Sequence, residues 1–206
     1  MLLSRTEERS LTEKLPLTYK ARQHLKPLGL FVVLISSLDL LAGCSGLPVY
    51  TSGEVPFVPT PPEVIDRMLE LAEVKKGDVV YDIGSGDGRI LIRAAKKYGA
   101  RGVGIEIDPD LVERSRTKAK DEGVDNLVEF HQQDALTVDV SPATVVTLYM
   151  LPDFNAKLRP ILERGLKPGA RVVAHDFGIE GWTPVKTEKV NGTWHHTHTI
   201  LLWRIR

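Results

Sequence analysis

From Val55 onward, short apolar runs alternate with longer amphipathic segments. Apolar and β-branched runs of this length predict strands, and apolar positions spaced three and four residues apart predict helices. The predicted strands are 78–83, 101–107, 127–131, 143–149 and 170–175. The predicted helices are 61–71, 89–98, 109–122 and 152–165. Strands that alternate with helices indicate an α/β fold with a parallel sheet covered on both faces.

The two ends of this region carry more specific signals. Thr60-Pro61-Pro62-Glu63 predicts a helix start, with Thr60 as the capping residue and a proline at the first position. At the carboxyl end, 185–190 and 194–205 predict two antiparallel strands, and Asn191-Gly192 predicts a tight turn between them. The expected fold is therefore Rossmann-like: a doubly wound, mostly parallel, seven-stranded sheet that ends in an antiparallel hairpin.

Residues 1–44 differ from the rest of the chain. A basic stretch precedes an apolar run at 28–43, which is the layout of an export signal, and Leu41-Ala42-Gly43-Cys44 resembles the cleavage box of bacterial lipoproteins. The long basic lead-in and Asp39 inside the apolar run fit such a signal less well. A membrane-directing segment, an acylated Cys44 and a misassigned start site all stay open. We expect 45–54 to be a linker and 55–206 to be the folded domain.

The overall composition narrows the class of protein. Of the 206 residues, 42% are apolar, and 27 basic residues balance 27 acidic ones to give a net charge of zero. This balance argues against a protein that mainly binds nucleic acid, because such a protein needs an excess of basic residues. With one cysteine, the chain has no internal disulfide framework and no cysteine-rich zinc site.

The segment Asp82–Arg89 follows the first predicted strand and contains Gly84, Gly86 and Gly88. Glycines here let the backbone turn sharply and approach a ligand closely. In open α/β sheets, ligands bind beyond the carboxyl ends of the strands. The sequence therefore predicts a ligand site at this loop, against the alternative of a purely structural turn.

Two acidic residues downstream extend this site. Glu106 ends the next predicted strand, where a carboxylate can accept hydrogen bonds from both ribose hydroxyls. Asp134 follows the third strand, where it can meet an adenine amino group or serve only as a turn residue. Asp82 and Asp87 would repel a pyrophosphate but suit the ammonium and sulfonium of S-adenosylmethionine. The antiparallel hairpin also favours S-adenosylmethionine over a dinucleotide.

These residues and the hairpin resemble the class I S-adenosylmethionine-dependent methyltransferases over 55–206. Val58-Pro59-Thr60-Pro61, the loop at 82–89 and Tyr149-Met150-Leu151-Pro152 further resemble bacterial relatives of the ATP synthase c-subunit lysine methyltransferases. The resemblance implies S-adenosylmethionine as cofactor and a lysine of a protein, including a membrane-embedded one, as acceptor. The expected cofactor-binding residues are Pro59, Thr60, Asp82, Gly84, Ser85, Gly86, Asp87, Glu106 and Asp134.

The acceptor is expected beside the loop after the fourth strand. The candidate pocket residues are Tyr149, Leu151, Pro152, Asp176 and Trp182. Tyr149 is the candidate catalytic residue, since its hydroxyl could bond the amine or its ring could face the cation. Core packing for Tyr149 and loop packing for Asp176 and Trp182 are the alternatives. The chain lacks the Asn/Asp-Pro-Pro-Tyr/Phe motif of base methyltransferases, which argues against a nucleic-acid partner.

Three histidines near the carboxyl end raise the question of a metal. On a strand, His196 and His198 share a face while His195 points away, and the neighbouring sequence offers no cysteine or acid pattern. We therefore expect a solvated strand surface and no metal.

Three other functions stay open: small-molecule methylation, a non-catalytic S-adenosylmethionine sensor and a nicotinamide-dependent oxidoreductase. Because S-adenosylmethionine is made in the cytoplasm, we expect the domain to face the cytoplasm. The 28–43 segment could associate it with a membrane, or Cys44 could anchor an exported lipoprotein.

Overall fold

The computed structural model describes residues 57–192 and 196–206. The helices, in chain order, are α1 (Pro62–Leu71), α2 (Arg89–Tyr98), α3 (Pro109–Asp121) and α4 (Pro152–Gly165). The strands are β1 (Val79–Ile83), β2 (Arg101–Glu106), β3 (Val128–Gln132), β4 (Val145–Leu148), β5 (Arg171–His175), β6 (Lys186–Asn191) and β7 (Thr197–Arg204). The predictions for 1–44, 45–54 and His195 lie outside the described residues. No helix within the described part is long and apolar enough to cross a membrane.

The strands form a seven-stranded sheet in the order β3-β2-β1-β4-β5-β7-β6. Strands β1 to β5 are mutually parallel, and β7 is antiparallel to both β5 and β6. The chain reverses its winding direction between β1 and β4, which are neighbours in the sheet. The predicted fold class is confirmed, and the loop after β1 opens at the switch point where such sheets bind ligands.

The two faces of the sheet bury separate apolar cores. One core takes side chains from α1, α2 and α3, including Met68, Leu91 and Val112. The other core lies under α4, with Leu158 and Leu162 fully buried. Five apolar residues of α1 are buried against this core: Val64, Ile65, Met68, Leu69 and Leu71. Because helices cover both faces of the sheet, the loops that can form a ligand site meet at its carboxyl edge.

The start of α1 differs from the prediction. Pro61 is the N-cap residue and Pro62 is the first helical residue, and no side chain caps the helix. The Thr60 hydroxyl instead lies 3.3 Å from Nδ1 of His175 and is buried. The predicted capping role of Thr60 is wrong because this long-range partner takes its hydroxyl.

The hairpin is present, but Asn191 lies in β6 and not in the predicted turn. It pairs with Thr197 at the end of the β6–β7 ladder. The alternation along β7 buries Ile200 and Leu202 on one face. A one-residue slip would move that whole set to the other face, so core packing fixes the register and outweighs the Asn-Gly preference.

His198 also departs from the sequence prediction. It lies on the same buried face of β7 as Ile200, and only 7% of its surface is exposed. The expected solvated strand surface is therefore wrong at this position. Its side chain points toward the end of β5, which the sequence pattern around the hairpin could not indicate.

Candidate active site at the carboxyl edge of the sheet

The loop between β1 and α2 owes its shape to its glycines. Gly84, Gly86 and Gly88 all adopt positive φ, at 75°, 53° and 75°. The Phe57 ring covers the position that a Cβ of Gly86 would take, and the Phe130 ring lies 2.5 Å from the Cβ position of Gly88. Any side chain would clash at both positions, so glycine is required by backbone geometry and by close packing.

Glu106 lies at the end of β2 beside this loop. One carboxylate oxygen accepts the Gly86 N–H at 2.9 Å. The other accepts the N–H groups of Ile107 at 2.8 Å and Asp108 at 3.0 Å. The structure thus brings the predicted acid and the predicted loop together, and the carboxylate links the loop to the turn after β2.

Asp82 is a buried carboxyl group at the carboxyl half of β1. Its described partner is the Thr147 hydroxyl, which donates at 2.6 Å. Burial raises the pKa of Asp82 to about 7; the Thr147 hydrogen bond opposes this shift, and the charges of Glu106 and Asp87 add to it. Because no cation among the described residues pairs with it, Asp82 offers a place for a positively charged ligand group.

Asp87 is buried as well, but it is already neutralised. Arg89 donates to both of its oxygens at 2.8 Å, and Lys118 reaches it at 3.1 Å. Burial would raise the pKa of Asp87, but these two cations lower it to about 2. Arg89 also donates to the Thr60 carbonyl at 3.3 Å, which ties the segment before α1 to the glycine loop. Asp87 is thus a structural anchor of the loop, and a direct contact with the cofactor stays a prediction.

The other predicted cofactor residues lie in this loop, before α1 and after β3. Ser85 is buried, and its hydroxyl has no hydrogen-bond partner among the described residues. Pro59 is exposed beside buried Thr60. Asp134 is exposed and accepts the Leu136 N–H at 2.9 Å, where it begins a single 3-10 turn. The turn role of Asp134 is therefore present, and its contact with adenine stays a prediction.

Tyr149 follows β4 and is half-buried at the same edge of the sheet. Its ring packs on His175 at 3.8 Å between centroids and stacks with Phe177 at 6.1 Å. Burial raises the pKa of Tyr149, and the charge of Asp176 raises it further, so the phenol is neutral near pH 7. A neutral phenol can accept a hydrogen bond from an amine.

The predicted pocket residues do not all meet. Leu151 is 45% exposed, and Pro152 begins α4 next to it. Trp182 instead donates its indole N–H to Glu163 at 2.9 Å and packs edge-on against Trp203. Its described contacts are those of loop packing against α4, which was the alternative, and a place of Trp182 in the acceptor pocket stays a prediction.

Large apolar side chains are exposed around the same edge. Phe57 covers Gly86 and is 41% exposed, Val58 follows it at 54%, and Ile107 after β2 is 41% exposed. With Leu151 they form an apolar rim beside the glycine loop and Tyr149. Exposed apolar residues grouped in this way mark a surface that binds a ligand or a partner.

Asn155 is a buried residue of α4 that sequence reasoning missed. Its side-chain amide lies within 3.4 Å of three backbone carbonyls, those of Met150, Phe177 and Gly178. It thereby joins the loop after β4 to the loop after β5. A lone asparagine in an amphipathic helix gives no sequence signal for this role, because both partners come from chain segments whose approach only the fold decides.

We expect Asn155→Ala to lower the free energy of unfolding by about 1–3 kcal/mol, since buried carbonyls lose their donor. Urea denaturation would measure the change. Asn126→Ala, at an exposed position, is the matched control and should unfold like the wild type. Equal midpoints for the two variants would contradict this role of Asn155.

Comparison with known proteins gives a consistent result. Residues 82–186 match the family model described as the ANTKMT methyltransferase domain. The chain is 45% identical over 145 residues to a protein-lysine N-methyltransferase of Saccharolobus islandicus, covering 69% of this chain and 90% of the relative. It is 39% identical over 142 residues to the human ATP synthase c-subunit lysine N-methyltransferase, covering 68% of this chain and 60% of the relative.

A solved structure is similar over almost its whole length. It is described as an RNA methyltransferase from Salinibacter ruber in complex with S-adenosyl-L-homocysteine. The identity is 58%, the TM-score is 0.68, and the match covers 72% of this chain and 94% of that one. S-adenosyl-L-homocysteine is the product that S-adenosylmethionine leaves after methyl transfer. This structure therefore agrees with the family match on S-adenosylmethionine as the cofactor.

Proposed function

The chain belongs to the ANTKMT methyltransferase domain family and uses S-adenosylmethionine, and from this premise we propose that it methylates the side-chain amine of a lysine in a protein. The observation that carries the proposal is the position of Tyr149: an aromatic, half-buried residue at the same edge of the sheet as the glycine loop. The names of the archaeal and human relatives support the same acceptor.

In this proposal the glycine loop and the acids around it hold the cofactor. Glu106 accepts hydrogen bonds from the ribose hydroxyls, and Asp82 faces the ammonium or sulfonium. Asp134 accepts a hydrogen bond from the adenine amino group through carboxylate lone pairs that the Leu136 N–H does not use. Pro59 and Thr60 close over the cofactor from the segment before α1. These assignments are supported by the charge of the three acids and by the location of all these residues near the carboxyl ends of the strands or before α1.

The acceptor lysine enters a pocket formed by Tyr149, Leu151 and Pro152, with Asp176 on its β5 side. Methyl transfer from a sulfonium is an in-line displacement, so the protein must mainly orient and desolvate the amine. A lysine ammonium must first release its proton to water, and an apolar environment favours the neutral amine. The N–C bond then forms as the S–C bond breaks, and S-adenosyl-L-homocysteine leaves. The apolar rim supplies that environment, and the Tyr149 hydroxyl then orients the amine by accepting an N–H bond.

RNA is the second candidate acceptor, because the Salinibacter ruber protein is described as an RNA methyltransferase. Two observations favour a protein instead. The net charge of the chain is zero, whereas RNA binding needs basic groups near the phosphates. The site edge carries the carboxylates of Asp82, Glu106 and Asp134 and an apolar rim. A small-molecule acceptor and a non-catalytic sensor would use the same cofactor residues.

Methyl-labelled S-adenosylmethionine distinguishes these acceptors. The full chain is incubated with host lysate, including its membrane fraction, and parallel samples are treated with protease or with ribonuclease. We expect label in a protease-sensitive fraction that yields methylated lysine by mass spectrometry, and we expect none with Glu106→Ala. Ribonuclease-sensitive label would establish an RNA acceptor. Label only in solvent-extractable material would indicate a small molecule, and binding without label would indicate a sensor.

We further propose that the domain works in the cytoplasm, where its cofactor is made. Membrane association through 28–43 and lipid attachment at Cys44 stay predictions, since both lie outside the described residues. Mass spectrometry of the mature protein from its native host tests them. A chain that begins at an acylated Cys44 would contradict the cytoplasmic location.

Asp82 predicts a pH dependence of cofactor affinity. Its pKa in the unliganded protein is about 7, and a bound cation lowers that pKa, so binding below pH 7 releases a proton. Affinity for S-adenosylmethionine is thus highest above pH 7 and falls as the pH drops. Between pH 8 and pH 6 we expect about a tenfold loss, as for one group of this pKa.

Isothermal titration calorimetry at several pH values measures this effect. Asp82→Asn keeps the contact with Thr147 but cannot ionise, so its affinity should be weaker at pH 8 and nearly constant down to pH 6. If Asp82→Asn shows the same pH dependence as the wild type, another group is responsible.

A further inference from the structure

Three potential metal ligands converge beside the acceptor pocket. His175 ends β5, Asp176 follows it, and His198 lies opposite on β7. Nε2 of His175 is 2.8 Å from Nδ1 of His198 and 3.2 Å from Oδ2 of Asp176. Nδ1 of His198 is 3.4 Å from the same carboxylate oxygen. Each of the three atoms is therefore close to both of the others.

These distances suit three ligands of one ion. Nitrogen and oxygen ligands lie ~2.1 Å from a transition-metal ion, so two of them are about 3.0 Å apart at a right angle and about 3.4 Å apart at a tetrahedral angle. The observed separations of 2.8, 3.2 and 3.4 Å fall close to this range. Two imidazoles and one carboxylate on one side of an ion, with open positions opposite, are a recognised transition-metal ligand set.

The outer atoms of the ligands are already held. Nδ1 of His175 lies 3.3 Å from the Thr60 hydroxyl, which leaves Nε2 to face the other two ligands. The other Asp176 oxygen accepts the Thr199 N–H at 2.7 Å, which leaves Oδ2 for the ion. Hydrogen bonds from ligands to surrounding groups are typical of metal sites, because they fix the orientation of each ligand. Asp176 also adopts a positive φ of 57°, a strain that concentrates at functional sites.

In the structure the three facing atoms contact one another. Two nitrogens 2.8 Å apart have room for one proton between them. That single proton would have to serve two nitrogens and a carboxylate oxygen. A divalent cation would accept an electron pair from all three atoms.

We propose that His175, Asp176 and His198 bind a divalent first-row transition-metal ion of the zinc type, with water in the open positions. The ion ties β5 to β7 and, through the Thr60 contact with His175, to the segment before α1. It also fixes the imidazole on which the Tyr149 ring packs. Asp176 then borders the acceptor pocket but directs its free oxygen to the ion. The proposal does not depend on the identity of the methyl acceptor.

Cobalt(II) is the probe, because its visible absorption reports the ligands and the coordination number. The full chain, stripped with a chelator and free of any purification tag, is titrated with Co²⁺ and then with Zn²⁺ in competition. We expect one ion per chain with a dissociation constant in the micromolar range or below. Zn²⁺ should displace Co²⁺, and metal should raise the melting temperature.

Three variants locate the site. Asp176→Asn tolerates the left-handed backbone as aspartate does, and it should weaken Co²⁺ binding at least tenfold. His198→Ala should do the same while circular dichroism confirms folding. His196 is exposed, with its ring 4.8 Å from that of His198, and His196→Ala should stay within twofold of the wild type. Failure to bind Co²⁺ at a 1:1 ratio below millimolar concentration would overturn the proposal. So would an affinity that Asp176→Asn and His198→Ala leave unchanged.

Discussion

Glu106→Ala should weaken S-adenosylmethionine binding by roughly 10²–10⁴-fold, because two hydrogen bonds donated to a charged carboxylate contribute about 1.5–3 kcal/mol each. The same carboxylate accepts three backbone N–H groups, from Gly86, Ile107 and Asp108. Its removal therefore takes away the ribose contact and also loosens the loop that approaches the cofactor. Calorimetric titration with S-adenosylmethionine and with S-adenosyl-L-homocysteine would measure the loss for both ligands.

Two further variants separate these contributions. Glu106→Gln keeps the size of the side chain and one acceptor oxygen but removes the charge, so its affinity should lie between those of the alanine variant and the wild type. Glu129→Ala removes an exposed carboxylate from β3 and should leave the affinity unchanged. Wild-type affinity in Glu106→Ala would mean that the cofactor does not contact this residue.

Local signals in the sequence predicted most of the fold. Helices α2 and α4 have the predicted bounds, and Gly99 ends α2 in the left-handed conformation. Gly88 and Gly99 bound α2 and Pro152 begins α4, so residues with strong backbone preferences mark three of these four ends. The strand ends shifted by one to three residues, because they depend on pairing partners elsewhere in the chain. Thr60 shows the limit of local reasoning: the capping pattern was present, but a histidine 115 residues away bonds its hydroxyl.

In the candidate site, too, some residues could be predicted from local sequence and others depend on long-range pairing. The glycine loop and Glu106 come from adjacent strands of one βαβ unit, so their meeting follows from spacing alone. The cluster of His175, Asp176 and His198 depends on antiparallel pairing between β5 and β7, which fixes the register across 23 residues. The sequence indicated histidines near the hairpin. It did not indicate that His175 and Asp176 face His198.

The opposite edge of the sheet offers a test of stability that is separate from the active site. Arg171, the first residue of β5, is buried and pairs with buried Asp78. It also donates to the carbonyls of Ala72 at 2.7 Å and Glu73 at 2.9 Å, and Glu73 holds a positive φ of 52° there. This guanidinium therefore joins the end of α1 to the start of two central strands, which only a planar, multiply donating cation can do.

Arg171→Met should lower the free energy of unfolding by about 3–5 kcal/mol, since it leaves a buried carboxylate without its cation. Urea denaturation at pH 7 would measure the loss. Arg93→Met is the matched control, because its ion pair with Asp66 is largely exposed and should contribute far less. Arg171→Lys keeps the charge but lacks the planar, multiply donating guanidinium, so its loss of stability should be intermediate. Equal losses for the Arg171→Met and Arg93→Met variants would contradict a structural role of the buried pair.

The same pair also predicts how the loss depends on pH. Burial acts to raise the pKa of Asp78, but the Thr144 hydroxyl, the Lys75 N–H and Arg171 together lower it. A lowered native pKa means that Asp78 stabilises the wild type above its unfolded pKa of about 3.9, and that this stabilisation disappears as the pH falls further. In Arg171→Met the unpaired carboxyl takes up a proton more readily, so the two proteins converge in acid. The stability difference should therefore be full at pH 7 and narrower below about pH 4, whereas a loss caused only by the missing carbonyl contacts would not change with pH.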